Sequence, residues 1–353
     1  MNAPRILITG GAGFIGVNLA ARLLKSGMHV RVFDSLARPG SEENIAWLED
    51  RHPERLEFVR ADVRDPAAVK RAAADVEHVY HLAAQVAVTT SLVDPCTDFN
   101  VNAGGALNVL EAVRGCQRPP SLICSSTNKV YGGLADLELR AGGSRYEPVN
   151  EPPGGVSETR PLDFHSPYGC SKGAADQYAL DYARSYGLDA VVLRMSCIYG
   201  PHQHGNEDQG WVAHFVRSAL DDSLVTVYGD GRQVRDVLFV EDLVEAFERA
   251  RRQIQALRGQ AFNIGGGPGQ AVSVLELIRR IEQLTGRVMR LRYDAWRVGD
   301  QRYYVSDTTR FTAATGWRPT VGIDQGLEAL CAWFEPRRAQ ARHDAYAAAG
   351  AQS

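Results

Sequence analysis

Several features that would place this chain in other classes of protein are missing from it. Its cysteines, at positions 96, 116, 124, 170, 197 and 331, form no C-x-x-C pair, and no histidines stand at zinc-finger spacing. Thiols in such contexts are expected to be reduced and mostly buried. Apolar runs are also short, since none approaches the roughly 20 residues that a membrane-spanning helix needs. The sequence therefore predicts no disulfide, no metal site and no membrane span.

The chain also lacks an excess of charge of either sign. Its 39 basic and 42 acidic residues give a formal net charge of −3. This balance gives no reason to expect a nucleic-acid partner or an anionic membrane surface, although local basic groups can still bind phosphate. The first β-rich run begins at Arg5, which leaves no room for a signal peptide, so a cytoplasmic protein is expected.

What the sequence does contain is a regular alternation of β-rich and helical segments. With 353 residues, 44% of them hydrophobic, it is long enough for one large domain or two ordinary ones. The β-rich runs hold mainly Val, Ile and Leu, which is typical of strands buried on both faces. The alternation predicts an α/β fold with a doubly wound parallel sheet of the Rossmann type. The predicted strands are Arg5–Thr9, His29–Phe33, Leu56–Arg60, His78–Leu82, Ser121–Ser125 and Ala190–Arg194, and the main helices between them are Phe14–Ser26, Val101–Gly115 and Tyr168–Tyr186.

The composition of the sequence and its pattern of strands and helices change at two places. Residues 134–167 are rich in proline and glycine and predict a long irregular insertion of the kind that covers or binds a ligand. After Arg194 the pattern becomes mixed, with a strand near Leu224–Tyr228 and helices near Val240–Arg252 and Val274–Leu284. We therefore predict a Rossmann domain over residues 1–194, a smaller mixed α/β substrate lobe over 195–336 that returns some elements to the first domain, and an Ala-rich tail over 337–353.

A glycine-rich turn joins the first strand to the first helix. Gly10, Gly13 and Gly16 let the backbone approach a pyrophosphate closely, and the helix that follows offers free N–H groups to it. Asp34 ends the second strand, where a carboxylate accepts hydrogen bonds from a ribose and repels a 2′-phosphate. NAD is therefore expected in preference to NADP, although the nearby Arg38 leaves NADP open.

Two further segments carry groups that can move a proton. Tyr168 and Lys172 are four residues apart, on one face of a predicted helix. A free tyrosine has a pKa of about 10 and is a poor base, but a neighbouring ammonium and a cationic nicotinamide ring are expected to lower that pKa. Thr127 stands at the carboxyl end of a predicted parallel strand, where ligands bind. It either hydrogen-bonds the reacting hydroxyl or, with Ser125 and Ser126, only caps a turn.

The order of these motifs resembles that of the extended short-chain dehydrogenase/reductase family. The resemblance is carried by Thr9–Gly16, His81-Leu-Ala-Ala84, Asn102 within Asn-Val-Asn-Ala-Gly, Ser126-Thr127 before Val130-Tyr-Gly132, and Tyr168 with Lys172, and it extends to Trp317-Arg-Pro319. More narrowly, Ser125–Gly132, Leu162–Tyr178 and Asp208–Trp211 are similar to epimerases that invert C2 of a CDP-bound sugar. The resemblance implies tightly bound NAD, a nucleotide-sugar substrate and a homodimer or homotetramer.

It also implies roles for individual residues. Tyr168 would be the general base, Lys172 its electrostatic partner and Thr127 the third catalytic hydroxyl. Asp62 either contacts the adenine or belongs to an exposed turn, and Asn102 either contacts the cofactor or only secures local hydrogen bonds. The expected cofactor contacts are Gly10, Gly13, Phe14, Ile15, Gly16, Asp34, Arg38, Asp62, Val63, Leu82, Ala83, Ala84, Asn102, Ser125, Tyr168, Lys172, Met195 and Ile198. The expected substrate contacts are Gln85, Thr127, Asn128, Gln209, Gly210, Val227, Arg235 and Arg302, with the two arginines on the pyrophosphate.

Other reactions of the family are weighed against this expectation. Its dehydratases carry an acidic pair after the catalytic threonine, and here Asn128 and Lys129 disfavour dehydration and decarboxylation. Met195 stands where C2 epimerases are expected to have histidine, and the loop over residues 201–207 also differs. A 4-epimerase, or a C2 epimerase of another CDP- or UDP-hexose, therefore stays an alternative. A non-catalytic dinucleotide-binding protein is a further one, which the intact Tyr168 and Lys172 disfavour.

Some other side chains keep two interpretations. His202 and His204, on a predicted loop, either touch substrate or are solvated. Trp211 and Phe215 either pack the second lobe or form an aromatic wall against the base or sugar. Trp47 either covers the adenine or packs in the core.

Overall fold

The fold is taken from a computed structural model, which describes residues 5–150 and 155–350, with side chains as far as Arg338. Parts of three predicted segments lie outside the described residues: the start of the Rossmann domain (1–4), part of the insertion (151–154) and the end of the tail (351–353). The strands are β1 (Arg5–Thr9), β2 (His29–Asp34), β3 (Leu56–Arg60), β4 (His78–His81), β5 (Ser121–Thr127), β6 (Leu139–Ala141), β7 (Tyr146–Pro148), β8 (Ala190–Met195), β9 (Cys197–Tyr199), β10 (Val225–Tyr228), β11 (Val234–Phe239), β12 (Ala261–Ile264), β13 (Ala271–Ser273), β14 (Leu291–Asp294) and β15 (Tyr303–Tyr304). The α-helices are α1 (Phe14–Lys25), α2 (Ser41–Arg51), α3 (Pro66–Ala73), α4 (Val88–Val93), α5 (Pro95–Phe99), α6 (Gly105–Arg114), α7 (Ser166–Ser185), α8 (Trp211–Asp221), α9 (Val240–Arg252), α10 (Ile254–Leu257), α11 (Val274–Thr285), α12 (Thr309–Thr315) and α13 (Ile323–Gly350). A π-helix covers Asn100–Gly104, and 3₁₀ turns cover Asn128–Tyr131 and Pro268–Gln270.

A seven-stranded parallel sheet forms the centre of the molecule. Its strand order is β12-β8-β5-β4-β1-β2-β3, and every neighbouring pair is parallel. The order reverses direction between β1 and β4, which is the switch point of a doubly wound Rossmann sheet. This confirms the predicted fold class. All six predicted strands lie in this sheet, and the seventh, β12, comes from beyond residue 195.

The sheet has a hydrophobic core on each face, because side chains alternate along a strand. In β1, Ile6 and Ile8 face one core and Leu7 faces the other. In β8, Val191 and Val192 divide in the same way. Burying one such side chain contributes roughly 1.5–3 kcal/mol, so strands apolar on both faces are stable only between two helical layers.

Small sheets and helices build the part of the chain after β8. Strand β11 pairs with β9 and β15 in parallel and with β13 antiparallel, and β10 pairs with β14 in parallel. A separate core forms where α8, α11 and the first turns of α13 meet, with Phe215, Leu277 and Leu330 among its buried members. Within the described part of the chain, no helix combines the length and apolar character needed to cross a membrane.

Two segments are more ordered than the sequence predicts. The insertion contains an antiparallel hairpin, β6 with β7, and a bridge from Val156 to Ser306 attaches it to the rest of the fold. The predicted tail begins inside a helix, since α13 continues through residue 337. Arg337 bonds Glu43 and Arg338 bonds Asp221, which holds this part of α13 against α2 and α8.

Candidate active site

The three side chains with predicted catalytic roles, Thr127, Tyr168 and Lys172, lie where the carboxyl end of β5 faces helix α7. Thr127 ends β5 and both lines a cavity and caps the 3₁₀ turn that follows, accepting a hydrogen bond from the amide of Lys129 at 3.2 Å. Its hydroxyl donates to the side-chain oxygen of Asn128 at 3.2 Å, and it is close enough to the phenol of Tyr168, which lines the same cavity, to affect the pKa of that phenol. The two interpretations of Thr127 are therefore compatible. Ser125 and Ser126 instead bond within the fold, to the carbonyl of His81 and to Asp176.

Burial dominates the protonation of Tyr168. It raises the pKa of Tyr168 to about 12; the hydrogen bond with Thr127 acts in the opposite direction, the charge of Asp98 adds to the rise, and that of Arg38 opposes it. The predicted lowering of this pKa by Lys172 is not seen. For Tyr168 to act as a base near neutral pH, additional positive charge must come close to its phenol oxygen.

The ammonium of Lys172 is fixed by the main chain. Its Nζ donates to the carbonyl of Ser125 at 2.7 Å, and the side chain is buried. Burial is also the main cause of a lowered pKa of Lys172. The group is thus held beneath the end of β5, one helical turn beyond Tyr168.

A buried ion pair fixes the position of α7. Asp176 on α7 receives two hydrogen bonds from Arg194 of β8, at 2.8 and 2.9 Å, and one from Ser126 of β5 at 2.8 Å. Although burial by itself lowers the pKa of Arg194, the partnership with Asp176 raises it overall. Because the guanidinium binds both carboxylate oxygens, the orientation of the helix is fixed as well as its distance from the sheet.

The π-helix carries a second buried network toward α7. The amide nitrogen of Asn102 donates to Asp98, Ser171 and the carbonyl of Gln85, and its oxygen accepts from the amide of Gln85. The side chain of Gln85 is itself bonded to Ala87 and Asp98. Both amides therefore make internal hydrogen bonds, and the expected contacts of Asn102 with cofactor and of Gln85 with substrate stay predictions.

The glycine-rich turn has the close backbone packing that a dinucleotide cradle needs. A Cβ atom on Gly16 would lie 2.4 Å from the carbonyl oxygen of Gly10, and one on Gly10 would lie 2.6 Å from the amide nitrogen of Ala83. Helix α1 begins after Gly13 with no side chain capping it, so its first N–H groups are open to a ligand. Asp34 accepts from the amide of Ala12 at 3.0 Å, beside this helix end. These features fit a pyrophosphate and an adenosine ribose.

Some of the other expected cofactor residues lie beside the glycine-rich turn, and others make contacts elsewhere in the fold. Asp62 is bonded through both carboxylate oxygens to Arg64, so its contact with the adenine stays a prediction, and Val63 packs in a core beside α6. Arg38 donates to Gln209, so it joins the expected cofactor side to the expected substrate side. Residues 82 and 83 pack against Gly10 and contribute backbone rather than side chains.

A cavity of about 380 Å³ opens beside Thr127 and Tyr168. Its wall is shared between the carboxyl edge of the large sheet and the later part of the chain. The aromatic pair Trp211 and Phe215 lines it edge to face, with ring centres 5.7 Å apart, while Phe215 also belongs to the neighbouring core. The expected site residues along this wall are Phe14, Ile15, Thr127, Asn128, Tyr168, Met195, Ile198, Gln209, Gly210, Val227 and Arg235.

Of the two predicted pyrophosphate arginines, Arg235 lines the cavity, whereas the predicted contact of Arg302 with the pyrophosphate stays a prediction. Arg302 lies outside the described cavity wall and stacks over Trp296 and Tyr146, with its guanidinium 5.4 and 5.8 Å from the ring centres. Arg297 lines the cavity instead and lies 3.7 Å above the ring of Tyr228. The cause is the loop between β14 and β15, which turns at Gly299 with φ of +75° and sends residues 297 and 302 to different surfaces.

Lys129 and Asp300 are also in this wall, although sequence reasoning noted Lys129 only as a non-acidic residue. The Nζ of Lys129 donates to the carbonyl of Gly299 at 3.1 Å. Asn128 beside it donates to Gln301 at 3.3 Å, and Gln301 donates to the carbonyl of Gly132 at 2.7 Å. These bonds join the turn after Thr127 to the loop that carries Arg297.

His202 is neither solvated nor a substrate contact. It is buried between Trp47 of α2 and Trp333 of α13, with ring centres 4.4 and 5.5 Å away. Burial lowers the pKa of His202 to about 4, so the ring is neutral. His204 packs edge-on to Trp333. These rings pin the loop after β9 to α2 and α13, and Trp47 packs there rather than covering a ligand.

Comparison with known proteins agrees with this geometry. Residues 6–265 match the model of the NAD dependent epimerase/dehydratase family. The chain is 44% identical to the CDP-paratose 2-epimerase of Salmonella typhi over 336 residues, 93% of this chain and 98% of that one, and 33% identical to a dTDP-glucose 4,6-dehydratase of Streptomyces griseus over 94% of each. The crystal structure of the UDP-glucose 4-epimerase of Thermus thermophilus with NAD superposes with a TM-score of 0.78 at 34% identity, covering 94% of this chain and 99% of that one. The chain therefore belongs to the NAD dependent epimerase/dehydratase family, as its resemblance to the extended short-chain dehydrogenases/reductases predicts.

Proposed function

We propose that this protein is a nucleotide-sugar epimerase that inverts C2 of a CDP-bound sugar, with CDP-paratose as its substrate. The observation that carries the proposal is that Thr127 and Tyr168 line one cavity between the glycine-rich turn and the later part of the chain. The 44% identity to a CDP-paratose 2-epimerase over nearly the whole chain supports the substrate.

NAD would be held by the glycine-rich turn, the open end of α1 and Asp34. When bound, it supplies a reversible hydride acceptor beside the reacting carbon. Phe14, Ile15, Met195 and Ile198 give the adjoining cavity wall an apolar character. Such a wall excludes water from the reacting groups.

The residues of the chain move the proton. The oxygen of Tyr168 accepts the proton of the sugar C2 hydroxyl and afterwards returns a proton to the same oxygen of the epimer, so no net proton is gained or lost. Thr127 keeps a hydrogen bond to this oxygen pair and orients the hydroxyl. In the protein alone the ammonium of Lys172, bonded to the carbonyl of Ser125, does not lower the pKa of Tyr168, so the phenolate would form once the positive charge of the oxidised nicotinamide is added.

The later part of the chain would hold the nucleotide while the sugar turns over. Arg235 and Arg297 provide guanidinium groups at the cavity, which suit a diphosphate. Anchoring the nucleotide lets the sugar present its opposite face without leaving the site. The homodimer or homotetramer implied by the family resemblance stays a prediction, which light scattering would check.

Dehydration is disfavoured because no carboxylic acid follows Thr127. Asn128 is already bonded to Gln301, and Lys129 to Gly299, so neither is placed to expel a hydroxyl group as water. A 4-epimerase is the second candidate, favoured by the 34% identity to a UDP-glucose 4-epimerase structure and by Met195 in place of the expected histidine.

Proton NMR of the purified protein with CDP-paratose, and separately with UDP-glucose, tests the proposal. We expect the signals of the C2 epimer to appear from CDP-paratose and reach equilibrium, and NAD to be released on denaturation and identified by mass. Inversion at C4 of UDP-glucose, without change in CDP-paratose, would establish the second candidate. A protein that carries NAD but changes neither sugar would contradict both.

A further inference from the structure

Lys129 places a positive charge on the cavity wall two residues beyond Thr127. Its side chain keeps 20% of its surface exposed, into the cavity it lines. The Nζ atom donates to the carbonyl of Gly299 at 3.1 Å and lies 3.8 Å from a carboxylate oxygen of Asp300. The ammonium is thus held firmly, and the side chain that carries it keeps part of its surface exposed.

The charges around Lys129 do not balance. The same oxygen of Asp300 also accepts from Arg235 at 2.9 Å, so two cations share one carboxylate. Burial, and after it the charge of Arg235, lower the pKa of Lys129 to about 8, against the opposing effects of Asp300 and Cys197. A ligand bearing negative charge would relieve the repulsion between the two cations.

The chemistry of the proposed reaction indicates which anion this is. In a nucleotide sugar the diphosphate is attached to C1, which is bonded directly to C2 and lies across the ring from C4. When the C2 hydroxyl is held at Thr127 and Tyr168, the sugar-proximal phosphate must therefore lie close to the turn after Thr127. That turn carries Lys129.

We propose that Lys129 binds the sugar-proximal phosphate of the nucleotide sugar, while Arg235 and Arg297 serve the remainder of the diphosphate. This inference rests on the proposed reaction at C2. Lysine offers a compact charge with three donors, which suits a phosphate oxygen. Lysine is rare in this chain: only four of the 39 lysines and arginines are lysines, at 25, 70, 129 and 172.

The proposal predicts a pH dependence of binding. CDP-glucose is a suitable probe, because neither of its phosphates titrates at neutral or alkaline pH. A bound phosphate stabilises the ammonium form of Lys129, so affinity is complete below about pH 8 and falls as the pH rises above the pKa of the free protein. The other groups facing this ammonium are Arg235, Asp300 and Cys197, and burial raises the pKa of the Cys197 thiol.

Titration calorimetry with CDP-glucose and CMP on Lys129→Met, Lys129→Arg and the exposed control Lys70→Met tests the proposal. CMP lacks the sugar-proximal phosphate. At pH 7 we expect Lys129→Met to weaken CDP-glucose about tenfold or more, as loss of a charge-assisted hydrogen bond does, while CMP binding is unchanged. Lys129→Arg should keep binding at pH 9.5, where the wild type has weakened, and Lys70→Met should behave as wild type.

Three outcomes would overturn the proposal. They are unchanged CDP-glucose binding in Lys129→Met, equal weakening of CMP, which would mean that the loop as a whole had moved, and an alkaline decline that persists in Lys129→Arg. Should Lys129→Met fail to fold, the pH profile of Lys129→Arg decides alone. Failure of the proposed function is seen separately, as wild-type protein that does not invert C2 of CDP-paratose.

Discussion

The two sides of the cavity hold their functional groups in different ways. On the sheet side, Tyr168 and Lys172 lie on a helix fixed by the buried pair Asp176 and Arg194, and Lys172 is bonded to the main chain. On the other side, Arg297 projects from a loop between two short strands, and the Asp300 carboxylate of that loop is shared. The first arrangement consists of buried side chains, with Lys172, Asp176 and Arg194 held by hydrogen bonds. The second consists of charged side chains that line the cavity, where a ligand can reach them.

This difference suggests a division of work. Proton transfer needs fixed distances between groups of matched pKa, and a buried helix with a bidentate ion pair supplies them. A diphosphate can be bound by several cations around it, so loops suffice. Substitutions on the sheet side should therefore affect rate or folding, and those on the loop side should affect affinity.

Tyr168→Phe should give the largest effect. Removing the phenol oxygen removes the proposed base and should lower kcat by about 10²–10⁴-fold, because general-base catalysis contributes that much. NMR of C2 inversion measures the rate, and affinity for CDP-glucose should stay within about twofold. Activity near the wild-type value would contradict the assignment of Tyr168.

Arg194→Met tests whether the sheet side is held by its ion pair. It leaves the carboxylate of Asp176 buried without its cation and with only neutral partners, Ser126 and Gln177, which should lower the free energy of unfolding by roughly 3–5 kcal/mol. The exposed pair Arg280 and Asp324 offers a control, since Arg280→Met should cost less than about 1 kcal/mol. Urea unfolding compares them, and similar losses in both variants would refute the idea of a fixed sheet side.

Arg297→Met and Arg302→Met should separate the loop side into groups that bind and groups that pack. The first should raise the Kd for CDP-glucose about 10- to 100-fold, because a charge-assisted bond to phosphate is lost, and should also lower the free energy of unfolding by roughly 0.5–1 kcal/mol, because its contact with Tyr228 is lost. The second removes cation–π contacts and should change stability by roughly 0.5–1 kcal/mol while affinity stays close to wild type. Weaker CDP-glucose binding in Arg302→Met, with unchanged binding in Arg297→Met, would instead support the predicted contact of Arg302 with the diphosphate.

The sheet side could be predicted from the sequence because its signals are local. Runs of Val, Ile and Leu mark the strands buried on both faces, and the spacing from Tyr168 to Lys172 is that of one helical turn. The position of Thr127 follows from the end of its strand. Strand β12 was missed, because its four residues follow two helices and pair with β8, about 70 residues earlier.

The loop side could not be predicted in the same way, since its geometry depends on contacts between distant segments. Nothing near residue 297 or 302 in the sequence tells which arginine faces the cavity; the turn at Gly299 decides it. His202 looks like a loop residue until Trp47 and Trp333 are brought to either side of it. Asn102 has the right motif, but its amide is already occupied by neighbours that only the fold reveals.

The π-helix over Asn100–Gly104 constrains the length of the chain as well as its side chains. An α-helix advances by roughly 100° per residue, so deleting one residue here would restore regular helical spacing and rotate Asn102 away from Ser171 by about that angle. Composition and hydrophobicity would scarcely change, yet the hydrogen bonds of Asn102 with Asp98 and Ser171 would be lost. The number of residues in this segment therefore sets the direction in which Asn102 points. A chain shortened here would lose the Asn102 network even though every proposed catalytic side chain is kept.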